Sequence, residues 1–456
     1  MRGHSVDSPA VEKGPIETHW FSRSSRLVNM AAKVATKEVR QRISGRFQAS
    51  MERLQASEVM TRVEQAKLIA ETLGQLKGAV MKAGQLLSLD ASDFLPPEAV
   101  EVLSKLQSQA DPIPFEDLKM VLREDLGQTW RDRFQLFDES PAASASIGQV
   151  HKGVVEGVPV AVKVQYPGVA ESVDSDIDAL RRLAGAWLSV SGRRIDMAET
   201  FEELRSILHQ ETDYWTERQA LERYRRLVGD DGRYVVPRSL EEASGRRVLT
   251  MEWIDGEPLV DWIKRDPSWE ERERVARALL DLYCKEFFEW GFVQTDPNPG
   301  NFAITEDGRI VLLDMGAALE YSDEFRESYV GLLRVIRRGE TEEIVQAGID
   351  FGLIDPREGP DVRASFAQLL TEAAKPFDPE LQPFQFNDED FAAGARAVGT
   401  KFATSLRYSP PPRKLLFLHR KLGGLFNFLR RLDVPIDLRP YWQQMVGTEL
   451  EAQQAV

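Results

Sequence analysis

The sequence predicts an α+β fold of two unequal lobes, a small strand-rich one followed by a larger, mostly helical one, with further helices ahead of both. Three observations carry this prediction. VVEGVPVAVKVQYPG (154–168) is rich in β-branched residues and bounded by Gly and Pro, the mark of a hairpin. A long helical stretch over about 198–228 is followed by the strand-like RRVLTMEWIDG at 246–256. From Trp262 the pattern is helical almost to the C-terminus, broken by the loop VQTDPNPGN (293–301) and one short hairpin at 302–314.

With 456 residues, 42% hydrophobic, the chain can bury a large core and form more than one lobe. Its formal net charge of −15 argues against non-specific binding of nucleic acid. The single cysteine, Cys284, excludes an internal disulfide framework and a cysteine zinc site, and fits a reducing compartment. No apolar run reaches the length of a membrane span, and the N-terminus lacks the apolar core of a secretory signal. A cytoplasmic location is therefore expected, with at most peripheral membrane contact.

In chain order, residues 1–20 carry Pro, Gly, Ser and Glu and are expected to be disordered. Arg23 to Arg53 holds eight Lys/Arg against two acids, interleaved with Leu27, Val28, Met30, Val34 and Phe47. That pattern suits a basic amphipathic helix on an anionic membrane, and equally a solvated tail or a helix packed on the body. Together residues 1–50 form a basic, partly disordered segment. Residues about 22–110 read as helices, ended by DPIP at 111–114; the helical extension spans 51–135, the small lobe 136–258 and the helical lobe 259–456. A linker is expected near 254–260. Pro-rich breaks at 376–383 and 409–412 divide the last helices.

The chemistry-bearing residues are spread over three segments. In VPVAVKVQ, Val160, Val162 and Val164 share one strand face, and Ala161 and Lys163 the other. Lys163 thus points away from the valine side, where it could reach a phosphate; a half-solvated strand lysine is the plain alternative. Asp296 and Asn301 are five apart, the spacing of the protein-kinase catalytic loop, in which the Asp orients or deprotonates a nucleophile and the Asn offers oxygen to magnesium. IVLLDMG (310–316) is a hydrophobic strand ending in Asp-x-Gly, which presents Asp314 as a second Mg²⁺ ligand. A kinase lysine also needs a helix carboxylate, and HQETDYWTERQA offers Glu211, Asp213 and Glu217, the last two at i and i+4.

Departures from an ordinary kinase are equally plain. No G-x-G-x-x-G loop precedes the lysine; AASASIGQV (142–150) stands there, with Gly148 as its only glycine. The residues before Asp296 are Gln294 and Thr295, not His and Arg. After Asp314 the chain runs quickly into the helical SDEFRESYVGLLRVIRR, with no long activation segment. Upstream, LGQLKGAVMKAGQLLSLD (73–90) shows a small-residue face with Lys82 and Gln85 at i and i+3. It reads either as a close helix contact or as a helix delivering Lys82 and Gln85 into a site.

Taken together these residues resemble the UbiB-like atypical kinase family, also called the ADCK, aarF-domain or ABC1-type family. The resemblance rests on K-x-G-Q (Lys82, Gly84, Gln85), the Ala-rich ASASIGQVH, VAVKVQYPGV, E-x-D (Glu211, Asp213), QTDPNPGN and LLDMG, over roughly residues 65–330. The QTDPN form is similar to the coenzyme Q biosynthesis subgroup; Ser144 and Met315 depart from the family's pattern. The resemblance implies a bilobal protein-kinase-like fold with an N-terminal K-x-G-Q extension over the site. Lys82 would face Glu211 and Asp213, leaving Glu217 for Lys163. Catalytic roles fall to Asp296, Lys163, Lys82 and Gln85, and metal binding to Asn301 and Asp314. The nucleotide would lie against Ala143, Ser144, Ala145, Ser146, Gly148, Gln149, Val150 and Ala161, and against the strand end at Glu252, Trp253 and Ile254.

ATP with Mg²⁺, weak or conditional ATPase activity, contact with a lipid or isoprenoid small molecule at a membrane, and a role in isoprenoid-quinone or other lipid metabolism follow as expectations. The alternatives are a small-molecule phosphotransferase and a non-catalytic ATP-binding scaffold. A protein complex or a homodimer is left open.

Overall fold

The computed structural model describes residues 113–145, 147–191, 198–405 and 413–447. The basic segment Arg23–Arg53, the K-x-G-Q segment with Lys82 and Gln85, and Ser146 lie outside the described residues.

Four antiparallel strands in the order β1-β2-β3-β5 make the sheet of the small lobe: β1 (Leu136–Ser144), β2 (Gly148–Val155), β3 (Val158–Gln165) and β5 (Val248–Glu252). The β2–β3 hairpin turns at Glu156 and Gly157, both at positive φ, as a tight two-residue connection needs. The small and polar run 137–153, which carries no strand pattern of its own, holds most of β1 and the first part of β2. Pro141 is tolerated because β1 is an edge strand, and its register shifts around that proline. Val160, Val162 and Val164 are fully buried against α1 (Phe115–Leu126), chiefly Leu118, Val121 and Leu122. Residues 115–126 therefore pack as the cover of this sheet, although the sequence groups them with the preceding helices. Gly127, at positive φ, ends α1.

Three helices follow β3. These are α2 (Val169–Ser191), α3 (Ala198–Glu211) and α4 (Tyr214–Val228). The long helix expected over 198–228 is thus two helices, broken at Thr212–Asp213. Asp213 adopts an extended backbone and accepts a hydrogen bond from Trp215 N at 3.1 Å, the N-cap of α4.

Beyond β5 the chain crosses to the larger lobe through Trp253–Asp255, with β6 (Glu257–Pro258) and α5 (Leu259–Lys264). Its central helix α6 (Trp269–Cys284) opens with a capping box, Ser268 and Glu271, and continues as a π-helical turn, Lys285–Trp290. The short strands β7 (Phe292–Gln294) and β10 (Ala318–Glu320) pair with each other. β8 (Phe302–Ile304) and β9 (Ile310–Leu312) form the expected hairpin, flanked by β6 and β4 (Tyr234–Val235). Helices α7 (Asp323–Arg338), α8 (Thr341–Asp350), α9 (Pro360–Ala374), α10 (Glu389–Ser405), α11 (Arg413–Leu432) and α12 (Arg439–Val446) complete it. The result is a bilobal, kinase-like fold. Among the described residues no helix is long and apolar enough to cross a membrane.

Because α1 supplies the other half of the small lobe's core, Leu122→Ala, at a fully buried position, is expected to cost about 2–5 kcal/mol of stability. Urea unfolding of the variant against the parent chain measures it.

Candidate active site

Strand periodicity puts Lys163 on the face opposite the valines, and burial of that face between the lobes does the rest. Lys163 is 6% exposed, so the half-solvated strand lysine is excluded. Its Nζ donates to Glu217 Oε1 at 2.8 Å and Oε2 at 3.0 Å, and to Asp314 Oδ2 at 2.9 Å. The Tyr214 ring lies beneath the ammonium, 4.9 Å from centroid to Nζ. Burial alone would lower the lysine's pKa, but Asp314 and Glu217 outweigh it and hold it well above the ordinary range. Burial, then the nearby Asp314 charge, raises the Glu217 carboxyl to about 7 against the opposing pull of Lys163. With Glu217 ionised, one ammonium stands against two carboxylates, and the cluster holds one negative charge in excess.

Glu217 is the partner of Lys163 because the break at Thr212–Asp213 takes Asp213 out of α4's helical phase. Asp213 instead caps the helix and accepts from Arg246 at 2.9 Å. Glu211 ends α3, buried.

Asp296 and Asn301 come together as their spacing suggests. Asn301 Nδ2 donates to the Asp296 carbonyl and to its Oδ2, each at 3.3 Å. Asn298 accepts from Gly300 N and so shapes the intervening turn. The loop is pinned to the Asp-x-Gly segment three times. Thr295 N and Oγ1 both donate to Ala317 O, at 3.1 and 2.7 Å, and Leu313 N donates to Asn301 O at 3.0 Å. Gly316 N closes a turn onto Asp314 Oδ1 at 2.9 Å. Asn301 and Asp314 thereby border the same small internal cavity, which Gln294 also lines. Gln294 is buried, and neither end of its side-chain amide has a hydrogen-bond partner among the described residues.

The residues expected around the nucleotide divide by face. Ala143 stands across from Val150, and Val150 across from Lys163, so these three share the cleft side with Ala161. Gly148 packs so closely on β3 that a Cβ there would lie 2.3 Å from Val164 O. Ser144 pairs with Gln149 on the opposite face. There Gln149 is fully buried, accepting from Ile113 N at 3.1 Å and meeting His151 Nε2 at 3.1 Å. Glu252, across from Val160, is taken up by Arg238 at 3.0 Å. Trp253 lies beneath Lys152, 4.1 Å from its Nζ, and begins the crossing to the large lobe, followed by Ile254. Ala145 N donates to Gly148 O within the Ala-rich turn.

Helix α11 brings residues that sequence reading missed. Arg420 Nη2 donates to Asp296 Oδ1 at 2.7 Å, with both side chains buried. One helical turn on, Gly424 lies so close to the catalytic loop that a Cβ would sit 2.0 Å from Pro297 Cβ. Lys421 makes a buried ion pair with Glu286, at 2.8 Å. The available signal was HRKLGG: a glycine pair inside a helix costs about 1 kcal/mol per residue against alanine and marks close packing.

A lysine on a small antiparallel sheet paired with a helix glutamate, an Asp-x4-Asn loop and an Asp-x-Gly turn, set between two lobes, define a kinase-like protein. The family model described as "ABC1 atypical kinase-like domain" matches residues 105–348. The chain belongs to this ABC1 atypical kinase family. It is 32% identical over 394 residues to the Dictyostelium discoideum "Probable serine/threonine-protein kinase abkA", covering 82% of this chain and 69% of that protein. It is 33% identical over 383 residues to the Caenorhabditis elegans "Atypical kinase coq-8, mitochondrial", covering 81% and 49%. Against the Saccharomyces cerevisiae "Atypical kinase COQ8, mitochondrial" the figures are 30% over 372 residues, 81% and 73%. The alignments thus span from about half to nearly three quarters of these relatives' own lengths. Among solved structures, Rv3197 of Mycobacterium tuberculosis in complex with erythromycin superposes with a TM-score of 0.59 at 27% identity, covering 87% of this chain and all of that one.

The Glu217 carboxyl yields a pH prediction for the metal-free protein. Its pKa is about 7 when folded and 4.5 by default, so between these values the folded state holds a proton that the unfolded state has released. Stability from this group is full below about pH 4.5 and falls as pH rises toward 7. Glu217→Gln is expected to flatten that decline in thermal melts across the range, since Lys163 keeps its pairing with Asp314.

Proposed function

We propose that the chain is an atypical kinase or ATPase that binds Mg-ATP and couples its hydrolysis or phosphoryl transfer to lipid or isoprenoid-quinone metabolism at a membrane surface. The single observation that carries the nucleotide part is the convergence of Lys163, Glu217 and Asp314 beside the Asp296–Asn301 loop. The donor set fits Mg²⁺: a carboxylate from Asp314 and an amide oxygen from Asn301 are hard ligands, and two such groups suffice where phosphate oxygens and water complete the shell. Bound there, Mg²⁺ would neutralise charge on the transferring phosphates. Its charge also suits a cluster with one negative charge in excess.

Each residue then has a task. Glu217 orients Lys163 toward phosphate oxygens. Asp296 orients a nucleophile, either water or an acceptor hydroxyl. Its carboxylate is held by Arg420 at 2.7 Å, which fixes its direction and suits a positioning role. Protein substrates fit poorly. Only Tyr321 and Ser322 separate β10 from α7, so the segment after Asp314 offers no long docking platform. The lipid and quinone part rests on the family and on the basic N-terminal segment. The pairing of Asp296 with Arg420 also favours a second reading, a nucleotide-binding scaffold that does not turn over.

Purified full-length chain, assayed with Mg-ATP with and without anionic liposomes and isoprenoid-like phenols, is expected to bind nucleotide and to turn it over faster with lipid. Asp314→Asn should abolish Mg-dependent binding or turnover, and unchanged behaviour removes Asp314 from the metal site. Tight binding without turnover under every lipid condition selects the scaffold. Phosphate transfer to a soluble alcohol selects a small-molecule phosphotransferase.

A further inference from the structure

Beside the Asp296–Asn301 loop, lining the same small cavity as Asn301 and Asp314, lies a buried carboxylate to which the nucleotide chemistry above gives no task. Glu286 is fully buried in the π-helical turn that extends α6. Such turns widen a helix locally and often mark functional positions. Its Oε1 accepts from Tyr224 OH at 2.7 Å and from Gln294 N at 3.1 Å, while Oε2 faces the Lys421 ammonium at 2.8 Å.

A buried ion pair is weak evidence for stability, since apolar residues of similar volume often serve as well. What distinguishes this one is where its partners lead. Tyr224 is seven residues after Glu217 on α4, two turns along the same face, so it belongs to the helix that holds Lys163. Gln294 is two residues before Asp296 at the entrance of the catalytic loop. Lys421 is next to Arg420, which holds the Asp296 carboxylate. One carboxylate thereby ties together the three segments that fix Lys163, the loop backbone and the Asp296 side chain.

We propose that Glu286, with Lys421 and Tyr224, is a positioning hub that locks the catalytic loop in register with the Lys163–Glu217 pair. It touches no reacting atom and acts through Gln294 and Arg420. The proposal rests on the nucleotide reading above for its catalytic consequence, but its structural content, the ordering of residues 294–301, stands apart from turnover.

The test compares the full-length chain with Glu286→Gln, Lys421→Met, the double variant E286Q/K421M and Tyr224→Phe. It reads Tm, the Mg-ATP Kd, kcat and amide hydrogen exchange at 294–301. Each single change at the pair leaves one side of it unmatched and lowers Tm; the double variant removes both charges and recovers much of it. In that recovered variant the hub predicts a kcat still at least about tenfold low, a Kd within about threefold of the parent, and faster exchange across the loop. Recovery of kcat and loop protection together with Tm overturns the proposal, since the pair then serves stability alone. Where the charge variants do not fold, Tyr224→Phe decides. It removes one hydrogen bond and no charge, and a lowered kcat at unchanged Tm supports the hub, whereas parental kcat and exchange overturn it. If the parent chain shows no turnover, the nucleotide reading fails by itself, and the exchange comparison alone upholds or overturns the hub.

Discussion

The arrangement depends first on one buried cation. Lys163 sits almost without solvent between Glu217 of α4 and Asp314 of the large lobe. Removing its two carboxylates from water is expensive, and their attraction offsets this only with close geometry. The surrounding structure supplies that geometry. Fully buried valines fix the strand's roll, so that Lys163 has no other direction in which to point. Gly148 lets β2 close on β3, and the Tyr214 ring fills the space under the ammonium. Asp213 starts α4 at the phase that turns Glu217 inward. Because Asp314 belongs to the other lobe, the same cluster also joins the lobes across the cleft.

The parts of this site readable from sequence are those governed by short-range geometry. Strand alternation gave the face of Lys163, and the Asp296–Asn301 spacing gave a loop whose side chains meet. What failed was phase and partner. Asp213 and Glu217 look like neighbours on one helix only if no cap intervenes, and a Thr-Asp pair inside a charged helix reads the same whether it caps or continues. Strand β1 went unread because Pro141 and a run of small and polar residues hide an edge strand whose pairing comes from β2. Arg420, Lys421 and Glu286 were invisible for another reason. A charged residue on an amphipathic helix is ordinarily solvated, and only tertiary packing reveals the one that is buried against its complement.

In an ordinary kinase loop an arginine immediately precedes the aspartate. Thr295 holds that place here, and its hydroxyl is spent on Ala317 in the Asp-x-Gly segment. A positive charge beside Asp296 is supplied from helix α11 by Arg420, 124 residues further along the chain. An arginine on α11 holds the aspartate only while that helix stays seated. Gly424 allows the close seat on Pro297, and the Lys421–Glu286 pair fixes the helix against rolling, since adjacent helical residues point about 100° apart and so brace it in two directions. The orientation of Asp296 therefore depends on the docking of a C-terminal helix, and anything that loosens that helix would release the Asp296 side chain without touching the loop.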